Sequence, residues 1–443
     1  MLVRRDAPAE SLIVTGARVV DPVQGVDAQI DVRIDDGVIA QLGTSLERNG
    51  HRVVEGAGLV LAPAFVDPHV HLRVPGREDE ETIASGTAAA AAGGYCAILA
   101  MPNTDPVVDS AAVLGALFED ARREAEVPVG FLAAITKGQS GGELTEMAEL
   151  ADAGAVAFSD DGHPVTAPGL MRRALQYGGV TGLKLALHCE EPTLSRGGHV
   201  HEGVVSAELG FGGYPSIAES VMVERDLSLA AYEERPLHLL HLSARESVAA
   251  LRAARESVEL LRRSQAAGVA TSGEVTPHHL CLTDEAVRTL DSNLKMNPPL
   301  RSREDRAALI DALRDGTIGA IATDHAPHAR HEKEVPFEAA PFGVTGLETA
   351  FSALYTHLVE AGVLPLETIL ERMSAGAARA YGLVEPAVAV GARANLVLLD
   401  LNASWRVEED GFRSRSKNSW LLGQTLRGKV RATIADGRMV YDG

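Results

Sequence analysis

Eight short apolar runs, each followed by polar or ionisable residues, divide the middle of this chain. They are Leu59 to Val66, Tyr95 to Ala100, Val129 to Ile135, Ala155 to Phe158, Leu183 to Leu187, Leu237 to Leu240, Val269 to Val275 and Ile318 to Ala322. Helical patterns lie between them, including Glu81 to Ala92, Ala111 to Glu124, Leu170 to Tyr177 and Arg303 to Arg314. Apolar runs alternating with helices favour a parallel sheet with crossover connections. Eight such units are what a (β/α)8 TIM barrel requires, and in that architecture the loops after the strands carry the chemistry.

The two ends have a different texture. From about Ser11 to Gly58 the chain reads as short strands with tight turns, and Asp36-Gly37 between alternating segments is a hairpin signal. The C-terminal stretch matches it, with Asn395 to Asp400 and with Val430 to Ile434 before Asp436-Gly437. We therefore expect an α/β chain whose small β-sandwich domain is built from residues 1–58 and 384–443, flanking a barrel over 59–383. A length of 443 residues accommodates both.

The residues just past each run suggest a metal site. Side chains alternate faces along a strand, so His69 and His71 point the same way while Val70 points opposite. The second run leads to Asn103, the fourth to Asp160-Asp161-Gly162, the fifth to His188, the sixth to His241, the seventh to His278-His279 and the eighth to Asp324-His325. Scattered histidines would not share that phase. Zinc favours neutral imidazole and carboxylate oxygen, and it lowers the pKa of a bound water towards neutrality. Two divalent cations close together need a bridging anion. The candidate set is His69, His71 and one Asp for one metal, His188 and His241 for the other, and a second Asp between them.

Other histidines fit this pattern less well. His199-Val200-His201 lies in a glycine-rich loop and caps no apolar run, which favours a surface or lid role. His278 and His279 are adjacent and would face opposite ways on a strand, so at most one reaches the mouth, as support for a ligand. His163 and His325 are read as neighbours of ligands. The tandem ARESV segments, Ala244 to Ala253 and Ala254 to Arg263, predict one long helix with no chemistry assigned.

Composition excludes several classes. A formal net charge of −20 argues against nonspecific nucleic-acid binding and against an anionic membrane surface. Three separated cysteines, Cys96, Cys189 and Cys281, make neither a disulfide framework nor a Cys-based zinc cluster. The first ten residues lack the apolar core of a signal peptide, and nothing approaches the roughly 18 apolar residues of a spanning helix. A soluble, cytoplasmic protein is expected.

The runs Val66-Asp67-Pro68-His69-Val70-His71-Leu72-Arg73-Val74-Pro75-Gly76, Met101 to Thr104, Lys295 to Arg301 and Asp324-His325-Ala326-Pro327-His328 together resemble the long-chain bacterial dihydroorotases of the amidohydrolase superfamily. The resemblance spans nearly the whole chain. It implies two zinc ions per subunit, with His69, His71 and Asp324 on one, His188 and His241 on the other, and Asp161 bridging while Asp160 supports. It also implies substrate contacts from Arg73, Asn103, Asn297 and His328, with backbone groups at Phe342-Gly343 closing over the ring. Dihydroorotate and carbamoyl aspartate are the expected small-molecule substrates, and Asp324 is the expected proton carrier. A homodimer is expected, with aspartate transcarbamoylase as a candidate partner. Related hydantoinases and dihydropyrimidinases bridge with a carboxylated lysine, and Lys184 is the lysine near a candidate strand end, expected to point away. Alternatives are another cyclic amidohydrolase, such as an allantoinase or dihydropyrimidinase, or a non-catalytic partner of aspartate transcarbamoylase. Val74 and Ala64 depart from the family pattern without touching a ligand position.

Overall fold

The computed structural model describes residues 1–48, 50–264 and 271–443, with residues 257–264 described by backbone alone. Its centre is a closed ring of parallel strands. Phe65–Val70 pairs with Tyr95–Ala100, which pairs with Val129–Phe131. Bridges Ala133 to Phe158 and Phe158 to Leu185 carry the ring across the fourth position. Leu185–Leu187, Leu237–Leu239, Ser272–Val275 and Ala320–Ile321 then follow in parallel order. The bridge between Val70 and His325 closes it.

Two of the expected runs behave differently in detail. Leu59 to Val66 does not form one strand. It splits into Val60–Pro63, which joins an outer sheet, and Phe65–Val70, which enters the barrel. Ala155 to Phe158 meets its neighbours through bridges at Phe158 rather than as a continuous strand, with backbone bonds at Val156, Ala157, Phe158 and Ser159. Val269 and Ala270, at the start of the seventh run, lie outside the described residues.

The helices follow their sequence signals. Ser302 caps Arg303–Asp315 by accepting from the Asp305 amide, and the Asp305 carboxylate accepts from the Ser302 amide in return. The ARESV duplication forms a single helix, Arg245–Ser264.

The chain ends build two further sheets. One has the order Val38–Gly43, Asp31–Asp35, Leu12–Thr15, Arg52–Glu55. The other runs Arg438–Asp442, Thr425–Ala435, Leu396–Arg406, Val60–Pro63, Arg18–Asp21, Val26–Gln29. Leu12, Val14, Val32, Ile34 and Ile39 from the first meet Leu61, Leu396, Leu398 and Ile434 from the second in one apolar core. No helix among the described residues is long and apolar enough to cross a membrane.

One buried carboxylate ties the first barrel strand to the last. Asp67 Oδ1 accepts from the His69 and Thr323 amides at 3.2 and 3.1 Å, and Oδ2 accepts from the Thr323 hydroxyl at 2.5 Å. Burial pushes the Asp67 carboxyl up to about 7 despite these donors. Thr323→Val keeps the shape and removes the hydroxyl. It is expected to cost about 1–3 kcal/mol, read as a lower thermal unfolding midpoint, and an unchanged midpoint would discount this seam.

Candidate metal centre

All six expected ligand residues are buried at one end of the barrel, each at or just beyond a strand end. Asp161 lies at the middle. Its Oδ2 is 3.6 Å from His69 Nε2 and 3.5 Å from His71 Nε2. Its Oδ1 is 3.6 Å from His188 Nδ1 and 3.5 Å from His241 Nε2. The two oxygens thus face separate imidazole pairs. Asp324 Oδ1 adds to the first pair, 3.1 Å from His71 Nε2 and 3.5 Å from His69 Nε2. His188 Nδ1 and His241 Nε2 are 3.0 Å apart.

The outer nitrogens of three of these rings are occupied by acceptors. His69 Nδ1 donates to Glu274 Oε1 at 2.9 Å, His71 Nδ1 to Asn103 Oδ1 at 2.9 Å, and His188 Nε2 to Glu190 Oε2 at 2.8 Å. With its outer nitrogen so engaged, each ring turns its other nitrogen towards Asp161, and on loss of a proton there that nitrogen is free to ligate a cation. Glu274 also accepts from His238 Nε2 at 2.9 Å. Burial raises the Glu274 carboxyl, but hydrogen bonds from His238 and His69 outweigh it and hold it at about 2. Burial likewise opposes ionisation of Asp161, yet the facing His69 and His241 keep it well below the ordinary carboxylate range.

Glu274 and His238 were not among the sequence candidates, though both carried a signal. His238 is an ionisable residue inside an otherwise apolar run, and Glu274 stands one residue before the end of the seventh run. In such a strand each must find a partner across the barrel interior.

Asp160 turns away. Its carboxylate accepts from the Ile135 and Thr136 amides at 2.8 and 3.1 Å and from the Thr136 hydroxyl. Lys184 Nζ donates to the Ala380 carbonyl, directed away from the cluster. His278 and His279 sit on a one-turn helix, Pro277–Cys281, so the expectation of opposite strand faces does not apply. His279 bonds to Thr276 and the Pro298 carbonyl, while His278 Nε2 is buried without a hydrogen-bond partner. His325 points to Glu81, His163 is exposed, and His199 precedes the short strand Val200–His201, in which His201 pairs with Tyr214.

The residues expected to touch substrate surround the same mouth. Arg73 is buried, its Nε 3.1 Å from the Pro327 carbonyl and its Nη2 3.3 Å from His328 Nε2. Asn103 bridges His71 and Asp161, its Nδ2 donating to Asp161 Oδ2 at 3.3 Å. Asn297 Nδ2 donates to Glu190 Oε2 at 3.1 Å, leaving its buried Oδ1 unpaired. The backbone at Phe342 and Gly343 is already engaged: the Phe342 carbonyl with His328, the Gly343 amide with the Lys295 carbonyl, and the Gly343 carbonyl with Lys333 and Asn418.

The cluster fits a cation. His69 Nε2 and Asp161 Oδ1 are buried without hydrogen-bond partners. The atoms of His69, His71 and Asp324, and those of His69, Asp161 and His241, lie within 4.8 Å of one another. An imidazole and carboxylate set at the strand ends of a (β/α)8 barrel defines the metal-dependent amidohydrolase class. The fold agrees: the L-hydantoinase (dihydropyrimidinase) of Arthrobacter aurescens superposes with a TM-score of 0.85 at 24% identity, covering 98% of this chain and 96% of that one. A dihydropyrimidinase from Brevibacillus agri gives 0.82 at 21% identity, over 98% of this chain and 95% of that one. The family profile described as "Dihydro-orotase-like" matches residues 58–247. The dihydroorotase of Pelotomaculum thermopropionicum is 45% identical over 97% of this chain and 98% of its own length. That of Geobacter metallireducens is 42% identical over 97% and 99%. The chain belongs to the dihydroorotase family.

Glu274→Gln keeps the shape of the acceptor but removes its charge from behind His69. It is expected to weaken metal retention about 10–100-fold, measured by competition with a chromogenic chelator. Retention equal to the parent would show that Glu274 only packs the barrel.

Proposed function

We propose that this chain is a dihydroorotase, opening the ring amide of (S)-dihydroorotate to N-carbamoyl-L-aspartate and closing it in reverse, in de novo pyrimidine synthesis. The observation that carries the reading is Asp161, with one oxygen towards each imidazole pair, together with the buried guanidinium of Arg73 two residues past His71. His69, His71 and Asp324 would hold one zinc, His188 and His241 the other, with Asp161 shared. Zinc ions there supply Lewis acidity, lowering the pKa of water and polarising an amide carbonyl.

The remaining work falls to the side chains. Arg73 takes the substrate carboxylate, because its planar fork suits that anion. Asn103 holds the His71 ring in place, and the free Oδ1 of Asn297 accepts from a ring N–H. His328, Phe342 and Gly343 close over the substrate ring. Asp324 takes the proton from the attacking water and returns it to the leaving nitrogen. A local cation such as Arg73 is what an anionic substrate requires in a chain of net charge −20.

Two other readings are weaker. A lysine-bridged cyclic amidohydrolase would need a lysine between the imidazole pairs, and Asp161 occupies that position while Lys184 points elsewhere. A non-catalytic partner of aspartate transcarbamoylase would have no use for a complete histidine set. We further propose a cytoplasmic homodimer, and a division into 1–58 and 384–443 as the β-sandwich with 59–383 as the barrel, of which Val60–Pro63 pairs into the sandwich sheet.

Purified protein should hold about two zinc ions per chain. It should turn over dihydroorotate but neither allantoin nor dihydrouracil, lose activity to a chelator and regain it with zinc. Asp324→Asn should lower kcat in both directions by at least about 10²–10⁴-fold with an unchanged circular dichroism spectrum. Near-normal turnover in that variant would remove Asp324 from the proton path.

A further inference from the structure

A second ionisable cluster borders the metal centre. Glu80, 2% exposed at its side chain, sets Oε2 2.9 Å from Arg73 Nε and 3.9 Å from His328 Nδ1. Its Oε1 pairs with Arg77, whose Nη2 is also 3.0 Å from Glu332 Oε1. Glu332 Oε2 lies 3.7 Å from His328 Nδ1. Glu80, His328 and Glu332 have the spacing of a metal site. Two guanidinium groups among them make a cation unfavourable there.

Charge balance shows what the cluster does. With both glutamates ionised, Arg73 and Arg77 are fully neutralised, and His328 is kept uncharged by burial and by the neighbouring Arg73. Arg73 Nε donates to the Pro327 carbonyl, while Glu80 Oε2 lies against it as an ion pair at 2.9 Å and has no hydrogen-bond partner of its own. A carboxylate arriving at Arg73 therefore brings an extra anion to a buried guanidinium whose charge Glu80 already balances. Such a charge is costly unless something nearby neutralises. The group that can do so is a carboxyl close to its own titration point. Burial pushes Glu80 up to about 7, with Arg73 and Arg77 pulling it down and Glu332 adding to the rise.

We propose that Glu80 is the proton-linked counter-ion of the substrate-anion site, taking up a proton when a ring carboxylate binds Arg73. This rests on the reading of Arg73 as the carboxylate anchor. Glu80 is a positioning residue: it acts on substrate through Arg73. The sign is fixed by electrostatics. Below about 7 Glu80 is neutral and Arg73 is free to attract the anion, whereas above it the ionised carboxylate competes, so affinity falls as pH rises.

Orotate, a planar ring carboxylate with no bond to hydrolyse, is the probe. Its Kd for the full zinc-loaded chain, measured by calorimetry in buffers of different ionisation enthalpy, is expected to be about tenfold weaker at pH 8 than at pH 6, with proton uptake on binding. Glu80→Gln should flatten that dependence, abolish most of the uptake and lower KM for dihydroorotate at pH 8 more than it changes kcat. A Glu80→Gln protein with the parent's profile and uptake overturns the proposal. If that variant does not fold, Glu332→Gln decides: removing the neighbouring negative charge should move the rise in Kd to lower pH, and an unmoved profile overturns it. Arg73→Gln separates the premises. If it leaves orotate affinity intact, the anchor reading fails. If it weakens binding while Glu80→Gln has no effect, only the Glu80 proposal fails.

Discussion

Six ionisable side chains turned towards one another in a buried barrel mouth are the constraint on which the rest of this molecule depends. Without compensation the arrangement would be unstable, since buried polar atoms left unpaired are costly. Compensation comes from behind the rings. Glu274, Asn103 and Glu190 each accept from an outward nitrogen, and each is held in turn by His238, Asp161, or Ser195 with Asn297. The inward nitrogens and the carboxylate oxygens remain for a cation. The barrel thus spends its interior hydrogen-bonding capacity on orienting imidazoles, and a cation supplies what the protein atoms leave unsatisfied.

Backbone conformation carries part of the same burden. Arg73, His241 and Asp324 have φ of 60°, 28° and 49°, a region that side-chain-bearing residues seldom occupy. Each comes after a barrel strand, where the chain must turn sharply while its side chain stays over the mouth. Strain of this sort persists only where surrounding contacts over-determine the geometry. Here the Asp67 seam does so for the last strand, and the Pro327 carbonyl and Glu80 do so for Arg73.

Much of this was legible in the residues because strand alternation converts sequence spacing into direction. His69 and His71 were readable as a pair, and the recurrence of polar residues after apolar runs located the mouth. The resemblance to a family distinguished Asp161 from Asp160, a choice that spacing alone could not make. The geometry gives the reason, since Asp160 is consumed by the Ile135 and Thr136 amides. Glu274 and His238 lie inside strands rather than at their ends, so the phase of polar residues after apolar runs does not mark them. The break at Pro63-Ala64 was hidden by unbroken hydrophobicity, because both of the sheets it serves bury their faces. The polar groups of Phe342 and Gly343 could not be read as engaged, since Lys295, Lys333 and Asn418 approach them only in three dimensions.

The C-terminal segment shows why the site belongs to the whole chain. Ser414 and Arg415 bond to Glu81, which in turn meets His325 beside Asp324. Asn418 accepts from the His328 amide and donates to the Ala326 and Gly343 carbonyls, clamping two loops at the mouth with one side chain. Lys333, pushed down to about 7 by burial and by Lys295, adds two bonds to the same loop at Pro341 and Gly343. Within residues 326–343, Lys333 and His328 bond to the Pro341, Phe342 and Gly343 carbonyls, whereas the side-chain donor to the Ala326 carbonyl comes from Asn418. The strand Thr425–Ala435 continues this segment into the outer sheet, whose neighbour Leu396–Arg406 pairs with Val60–Pro63 just ahead of the first barrel strand. The sandwich therefore holds both ends of the path that positions His69 and His328, and a site at the barrel mouth is fixed in part by contacts made at its outer rim.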